Sequence, residues 1–457
     1  MAISFDEVFG KVRECFQEES IITSLKPKLN SVTIIRDVYG KIRLFLEPLD
    51  NISIDETEVN SLKNLLSNHL GKYYGQDIWL PEVTKDGYKA LINTIKAKRT
   101  SALWDDSSVP RWYVLERHIA KQSWTGMRIG SPPWDNDAVI NRYKPAIISF
   151  FSFKGGVGRT SSLVATALTL ARNGYRVAIV DLDLEAPGLA TIFSPDDSSN
   201  SGVIDYLLEK KIQGNDWSLD TVSISGSDLL GDNGDTIHLF PAGTVDKNYL
   251  EKLARLDFQN LVDGELQDRM HDMLKELNKR VQNLDFILLD ARAGFHDIGG
   301  LAITNLSHGV VIFGTQSRQS WAGLTHVIRH LAPSGSDDSP SLILVHSMAP
   351  ALKIVGRERE LTQFRERAYS TFQENYYAEN DHVPNSNDTE APFYPVVVPY
   401  QDNLRGDIAL FSRDSTPEDE ESDRLSSLVE IMTDSPYQNI AEKLCTDFRR
   451  EFQTNNG

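Results

Sequence analysis

The chain has 457 residues, of which 40% are apolar and 25% charged, the composition of a globular protein with two or three domains. Its 47 basic and 65 acidic residues give a net charge of −18, which argues against a protein that coats nucleic acid through clustered cations. No apolar run approaches the roughly 18 residues of a membrane span, and the N-terminus lacks a secretory pattern, so we expect a cytoplasmic location. The two cysteines, Cys15 and Cys445, are too few for a four-thiolate cluster and are typical of a reducing compartment.

Residues 1–120 are predicted to form an α+β domain without a recognisable chemical motif. Residues 121–144 contain several glycines and prolines and lack helical or strand periodicity, so they are predicted to be a linker. The elements predicted in the first domain are a helix over 5–17, a hairpin of 32–35 and 42–46, helices over 57–72 and 85–97, and a helix or strand over 110–120.

From residue 145 to 457 buried strands alternate with helices, the pattern of a mostly parallel sheet that is covered on both faces. One helix is predicted over 160–173, and the longest over about 247–281. The acidic run 414–423 is interpreted as a solvated loop. The predicted strands are 146–152, 176–182, 236–240, 285–290, 309–314, 341–346 and 394–398.

A glycine-rich segment lies between the first of these strands and the helix after it: Phe153-Lys154-Gly155-Gly156-Val157-Gly158-Arg159-Thr160-Ser161. A strand before and a helix after are the context in which such a loop binds phosphate. Glycines let the backbone wrap around phosphate oxygens, and the amides of the helix start point at the anion. Arg159 would contact the β- and γ-phosphates, and Thr160 would place its hydroxyl on Mg²⁺. The alternative is a glycine-rich turn without a ligand.

The segment departs from the standard P-loop, because Phe153 occupies its first glycine position and Arg159 its lysine position. The early lysine, Lys154, makes it resemble the deviant P-loop of the ParA/MinD-like ATPases. The resemblance covers about residues 146–455 and implies a doubly wound P-loop NTPase sheet, ATP and Mg²⁺ as cofactors, and an ATP-dependent homodimer. In that family the early lysine reaches the partner subunit's nucleotide, which implies a catalytic role for Lys154. The residues implied to bind nucleotide are Lys154, Gly155, Gly156, Val157, Gly158, Arg159, Thr160, Ser161 and Pro399.

Two carboxylate motifs follow later strands. Asp181 and Asp183 are two residues apart, so on an extended strand end both would point towards the phosphates. The motif resembles the family's switch I and implies that Asp183 positions water and Mg²⁺, with Asp181 and Glu185 as further candidates. Asp290 ends an apolar strand and would deliver a carboxylate to the metal, although Arg292 stands where the family has proline. Capping or turn carboxylates are the alternative for both motifs. The implied catalytic set is Lys154, Asp183 and Arg159, and the implied metal ligands are Thr160, Asp183 and Asp290.

Two shorter segments bear on the nucleotide base. Pro399-Tyr400 resembles the family's late element, whose loop lies near adenine. Residues 315–320 resemble a Thr-x-Pro-x-x-Ser segment of the family. Thr315-Gln316-Ser317-Arg318 does not match the Asn/Thr-Lys-x-Asp element that reads guanine, so the sequence favours ATP over GTP.

Neither DNA nor membrane binding is favoured. An apolar stripe near the C-terminus suits a membrane-binding helix, but its narrowness better suits a helix packed on the domain. A basic cluster suits DNA, but interspersed glutamates better suit a solvated helix face. The stripe is Ile440, Leu444, Phe448 and Phe452, and the cluster is Lys353, Arg357, Arg359, Arg365 and Arg367.

The sequence therefore predicts a dimerising switch that hydrolyses ATP slowly and controls assembly with a partner protein, which the N-terminal domain recognises. A second hypothesis is a nucleotide-binding assembly scaffold with little or no turnover, because Arg159 cannot reproduce the compact ammonium of lysine. The Lys-Gly-Gly-Val-Gly-Arg variant with an added N-terminal domain is similar to ParA-like proteins of bacterial multi-gene systems, including partition and defence systems.

Overall fold

The chain divides into two compact units, Met1–Ile119 and Ala120–Gly457. The computed structural model describes residues 3–81, 86–105, 108–118, 121–125, 131–194, 201–256, 265–333, 339–379, 381–406, 408–411 and 418–453. No helix within these ranges is both long enough and apolar enough to span a membrane.

The described residues of the first unit form a five-stranded sheet with helices. The strands are β1 (Leu29–Arg36), β2 (Ile42–Pro48), β3 (Tyr74–Trp79), β4 (Thr100–Ser101) and β5 (Arg111–Glu116). The helices are α1 (Val8–Cys15), α2 (Glu19–Ser24), α3 (Glu56–Leu70) and α4 (Asp86–Lys98). The strand order is β3-β2-β1-β5-β4, and β1 pairs antiparallel with β2 and parallel with β5. The predicted helices and hairpin are confirmed with shifts of a few residues at their ends, and the last predicted element is a strand.

Both faces of this sheet are covered, because successive side chains of a strand point to opposite sides. Ile34 of β1 belongs to the same apolar cluster as Leu66 of α3. The next residue, Ile35, belongs to a separate cluster with Ile95 of α4. The two adjacent isoleucines of β1, Ile34 and Ile35, are therefore explained by burial on both faces.

The described residues of the second unit form an eight-stranded sheet. Its strands are β6 (Ala146–Ser152), β7 (Val177–Asp181), β8 (Val222–Ile224), β9 (Ile237–Phe240), β10 (Phe286–Asp290), β11 (Gly309–Gly314), β12 (Ser341–Ala349) and β13 (Val396–Pro399). The order is β13-β12-β11-β6-β10-β7-β9-β8, and only β8 runs antiparallel to its neighbour. The predicted mostly parallel, doubly wound sheet is confirmed.

Helices cover both faces of this sheet. The described helices are α5 (Gln122–Thr125), α6 (Asn136–Ile140), α7 (Arg159–Arg172), α8 (Leu189–Phe193), α9 (Val203–Gln213), α10 (Ser227–Leu230), α11 (Tyr249–Arg255), α12 (Glu265–Arg280), α13 (Asp297–Leu301), α14 (Arg318–His330), α15 (Arg357–Asn375), α16 (Glu418–Met432) and α17 (Ser435–Asp447). One face is packed by α7, α16 and α17, and the other by helices that include α9, α12, α14 and α15. The C-terminal apolar stripe lies in the core, since Ile440, Leu444 and Phe448 are buried.

Two sequence expectations differ from the structure. The helix predicted over 247–281 is interrupted, because Leu256 leaves the helical conformation with ψ 84°; the next described helix is α12, Glu265–Arg280. The described part of the acidic run 414–423 is helical and not a loop, since residues 418–423 belong to α16. Glu421 is buried and accepts a 2.8 Å hydrogen bond from Nε of Arg424. Residues 414–417 and 257–264 lie outside the described residues.

The segment predicted as a linker, 121–144, belongs to the second unit in the structure. The indole of Trp124 donates a 2.7 Å hydrogen bond to the carbonyl of His296, and the ammonium of Lys121 lies 3.2 Å from Asp297. Periodicity misses such a segment because single anchoring side chains hold it. Its residues 126–130 are not described.

The parallel strands place all their carboxyl ends on one edge of the sheet, which we call the C-terminal edge. In sheets of this kind ligands bind at this edge. The loops that leave it include 153–158 after β6, 182–188 after β7, 291–296 after β10, 350–356 after β12 and 400–405 after β13. The motifs that the sequence analysis singled out therefore converge here.

Candidate nucleotide site

The glycine-rich loop joins β6 to α7 in a conformation that requires glycine. Gly156 and Gly158 have φ of +71° and +76°, in the left-handed region that other residues rarely adopt. A Cβ atom built on Gly155 or Gly156 would meet no atom within 4 Å, so open space lies beside the backbone. Gly158 precedes α7, and no side chain caps the first amides of that helix. Loop and helix start together provide amides for an anion such as phosphate.

Arg159 is bound to carboxylates instead of facing that open space. Its Nε donates to Asp290 at 2.6 Å, and its Nη2 lies 3.2 Å from Asp183. Burial disfavours the charged guanidinium, but the carboxylates of Asp290 and Asp183 outweigh it and raise the pKa of Arg159. The side chain that the sequence assigned to phosphates is therefore ion-paired, while the structure does bring Arg159, Asp183 and Asp290 together.

Thr160 and Asp290 form the candidate metal position. The hydroxyl of Thr160 donates a 2.7 Å hydrogen bond to Asp290, and Asp183 is joined to the same group through Arg159. The chain offers no group of three His, Cys, Asp or Glu side chains for a metal within its described ranges. Mg²⁺ needs none, because it is usually bound through one or two carboxylates together with waters and phosphate oxygens. These oxygen donors fit Mg²⁺ bound with a nucleotide.

Asp181 and Asp183 have different partners. Strand β7 ends at Asp181, so Asp183 lies in the loop after it. The Asp181 carboxylate is buried and accepts amide hydrogen bonds from Asp183, Gly188 and Leu189 at 3.0–3.1 Å. Burial raises the pKa of Asp181, and the neighbouring Asp290 carboxylate adds to the effect. Asp181 therefore holds the loop, and Asp183 faces the site.

Arg292 links the loop after β10 to the loop after β7. Its guanidinium lies 3.3 Å from Asp183 and 2.8 Å from Glu185. His296 forms a second contact with Glu185, 2.7 Å from Nε2 to the carboxylate. Sequence reasoning missed this pairing, and its one signal was an arginine where the family has proline.

A cleft of about 430 Å³ opens beside the glycine-rich loop, within the usual range for small-molecule sites. Pro399 and Tyr400 line it opposite Gly156 and Gly158, so the predicted late element meets the phosphate loop. Lining residues that the sequence did not reveal are Ser347, Met348, Gln401, Leu404, Arg405 and Tyr437. The other short segment, residues 315–320, contains the start of α14, where the Ser317 hydroxyl accepts a 3.2 Å hydrogen bond from the amide of Ser320. Its residues do not line this cleft.

Phe153 explains how the loop tolerates an aromatic ring at the usual first glycine. A Cβ atom built on Gly323 of α14 would lie 1.9 Å from the Phe153 ring, so the ring packs directly against that glycine. Phe295 stacks at a tilt on the other side, with 5.0 Å between ring centroids. The ring therefore packs away from the phosphate-binding backbone.

A protein-family model matches the region around this loop. Residues 144–229 match the ParA family model, described as NUBPL iron-transfer P-loop NTPase. The cytosolic Fe-S cluster assembly factor CFD1 of Saccharomyces cerevisiae is 36% identical over 92 residues, which cover 20% of this chain and 31% of that protein. The factor of the same name from Candida glabrata is 47% identical over 53 residues, 12% of this chain and 19% of that protein. The chain thus spans less than a third of these curated relatives.

Among solved structures, pNOB8 ParA bound to nonspecific DNA is similar in fold. It is 18% identical, covers 66% of this chain and 100% of its own length, and gives a TM-score of 0.44. A likeness of this degree does not extend to activity or partners.

The cysteines of the chain do not fit an iron–sulfur cluster. Such clusters are held by several thiolates, and Cys15 and Cys445 lie in different units and are both buried. Burial raises the pKa of each thiol to about 12, which disfavours the thiolate that binds iron.

Proposed function

We propose that the second unit is a ParA/MinD-like P-loop NTPase and that the chain is an ATP-dependent dimerising switch; the match of residues 144–229 to the ParA family model supports this. It binds ATP with Mg²⁺, hydrolyses it slowly, and thereby controls assembly with a partner protein. The observation that carries this proposal is that two cations of one loop, Lys154 and Arg159, differ in exposure and in ion pairing.

Lys154 is exposed, and no described carboxylate forms an ion pair with it. Arg159, five residues later, is 8% exposed and is bound to Asp290 and Asp183. An exposed cation beside a phosphate-binding loop is available to a second molecule. Lys154 of one copy would neutralise charge that develops on the nucleotide of the other copy, the role that arginine side chains play in related phosphoryl transfers.

The remaining site residues have distinct proposed roles. Backbone amides from Gly155 to Ser161 bind the phosphates, and Pro399 lies against the base. Thr160, Asp290 and Asp183 hold the metal or orient its waters. Mg²⁺ supplies charge neutralisation at the phosphates when it is bound. Arg159 would have to leave at least part of its carboxylate contacts to meet the β- and γ-phosphates.

The alternative is an assembly scaffold that binds nucleotide with little or no turnover. It is supported by the same ion pairs, because Arg159 engages both carboxylates that would serve the metal. A guanidinium also presents a rigid planar donor set in place of a compact ammonium. If the carboxylates stay bound to Arg159, nucleotide can be held without an assembled catalytic site.

The experiment is phosphate release by the purified full chain over a range of protein concentrations. We expect the rate per chain to rise with concentration and to fall at least about 100-fold in Lys154→Ala, given the contribution of such cations to phosphoryl transfer. Lys144→Ala is the matched control, because Lys144 is an exposed lysine at the opposite end of β6. ATP binding without turnover at any concentration would favour the scaffold instead.

The first unit is proposed to recognise the protein partner, since the sequence motifs for nucleotide all lie in the second unit. By its resemblance, the partner would belong to a multi-gene system of the partition or defence type. Affinity purification with the full chain, compared with a chain that lacks residues 1–119, tests this. A partner retained equally by both chains would contradict it.

A further inference from the structure

An exposed apolar loop, residues 350–356, follows β12 at the C-terminal edge. Leu352 is 83% exposed, Ile354 56% and Val355 100%. Soluble monomers rarely present several large apolar side chains in one contiguous patch unless the patch binds something. The exposed side chains of Met348 and Tyr400 continue this patch to the mouth of the nucleotide cleft.

The loop is connected to the phosphate loop through the end of β12. The pairing of β12 with β13 shifts register between Ser347 and Ala349, and Met348 between them has φ of +53°. The hydroxyl of Ser347 donates to the carbonyl of Val157, and Met348 lies 3.7 Å from the position of a Cβ on Gly158. Occupation of the cleft therefore acts on residues directly before the exposed loop.

The loop has a defined shape. The amide of Ile354 donates to Ala351 at 3.0 Å, and Gly356 has φ of +90°. The guanidinium of Arg357, the first residue of α15, donates to the carbonyl of Pro350 and closes the loop. A loop held in this way loses less conformational entropy when it binds.

The charges beside the patch are complementary to other charges on the same edge. Lys353 is exposed within the apolar tip, and Arg359 is exposed at the start of α15 beside the exposed Glu358. Asp246 and Asp402 are exposed in loops that leave the carboxyl ends of β9 and β13. One edge thus carries both an apolar tip with a lysine and separate acidic groups, as a self-complementary interface needs.

We propose that the loop 350–356 is a contact surface for a second copy of this chain, formed when nucleotide occupies the cleft. The inference rests on the proposed function, because it assigns residues to the ATP-dependent dimer. In a symmetric dimer each chain contributes the apolar tip once and receives the partner's once. The contact then reports cleft occupancy through Met348 and Ser347.

The test is the self-association of the full chain with ATP and Mg²⁺, measured by sedimentation velocity over a concentration series. Leu352→Glu and Val355→Glu place a carboxylate at exposed positions that do not bear on folding. Each is expected to raise the dimer dissociation constant at least about tenfold, as for a central interface residue. The affinity of the monomer for a fluorescent ATP analogue should be unchanged. Ile212→Glu is the matched control, because Ile212 is also 83% exposed, at the end of α9.

The outcomes separate the two proposals. A wild-type dimer that both variants form equally well overturns the loop contact and leaves the switch intact. A wild-type chain that binds ATP but stays monomeric overturns both. Binding to vesicles of phosphatidylserine and phosphatidylcholine that the two variants lose, with dimerisation unaffected, would assign the loop to a lipid surface and overturn the proposal.

Discussion

Arg159→Lys tests whether the ion pairs at the phosphate loop stabilise the second unit. The guanidinium binds Asp290 through Nε and Asp183 through Nη2, and a lysine ammonium cannot reproduce both geometries from one planar group. Hydrogen bonds to charged groups contribute about 1.5–3 kcal/mol each, so loss of one predicts a fall of about 2 kcal/mol in the free energy of unfolding. Arg159→Met removes the charge from a buried pair and should cost more, about 3–5 kcal/mol.

The assay is denaturant unfolding of the purified chain in EDTA, with the transition of the second unit identified as the one that Mg²⁺ and ATP shift. Ligand binding stabilises the native state in proportion to its affinity, so the shift with Mg²⁺ and ATP also reports the site. We expect a larger shift in Arg159→Lys than in the wild type, because fewer carboxylate contacts must be broken. An unchanged midpoint in EDTA together with a lost ATP shift would refute the reasoning, since Arg159 would then act on phosphate alone.

Two further predictions concern packing and pH. Gly323→Ala places a Cβ against the Phe153 ring and should destabilise the unit by about 1–3 kcal/mol in thermal unfolding, and Phe153→Ala in the same chain should restore most of the loss. Burial lowers the pKa of His308 from 6.5 to about 4, while its ring accepts from the amide of Ile147 and donates to the carbonyl of Trp134. The contribution of His308 to the free energy of unfolding is therefore complete above pH 6.5 and falls as the pH drops towards 4. The loss is about 2 kcal/mol between about pH 8 and about pH 5. Glutamine can form both hydrogen bonds without titrating, so His308→Gln should remove this part of the pH dependence of the free energy of unfolding, measured in urea. The same pH dependence in the wild type and the variant would contradict the prediction.

The fold of the second unit could be predicted because several local signals agree. Strands of three to nine residues alternate with helices, and the glycine-rich loop lies between a strand and a helix. The left-handed φ of Gly156 and Gly158 explains why those positions are glycine. Strand β13 lies three strands away from β6 in the sheet, so local signals alone do not predict that Pro399 approaches the loop. That prediction came from the resemblance to the family.

Side-chain partners could not be predicted, because they depend on where each strand ends. Asp181 ends β7 and Asp183 lies in the loop after it, so the two carboxylates have different partners. Ser347 and Met348 line the cleft where the pairing of β12 with β13 shifts register, and no motif in the sequence marks that shift. The hydrogen bond from the Trp124 indole is a further contact that periodicity does not reveal.

Two unusual arginines, one that departs from the standard P-loop and one that departs from the family's proline, contact the same side chain. Arg159 stands in the lysine position and Arg292 in the proline position, and their guanidinium groups lie 3.2 Å and 3.3 Å from the two oxygens of Asp183. A lysine at position 159, without Arg292, would leave one of these oxygens without a cation. Arg292 therefore completes the pairing that Arg159 begins. The phosphate loop, the loop after β7 and the loop after β10 are thereby joined by ion pairs. Metal binding at Asp183 would compete with both arginines at once, so it is expected to rearrange the three loops together. That coupling is what a nucleotide-dependent switch requires.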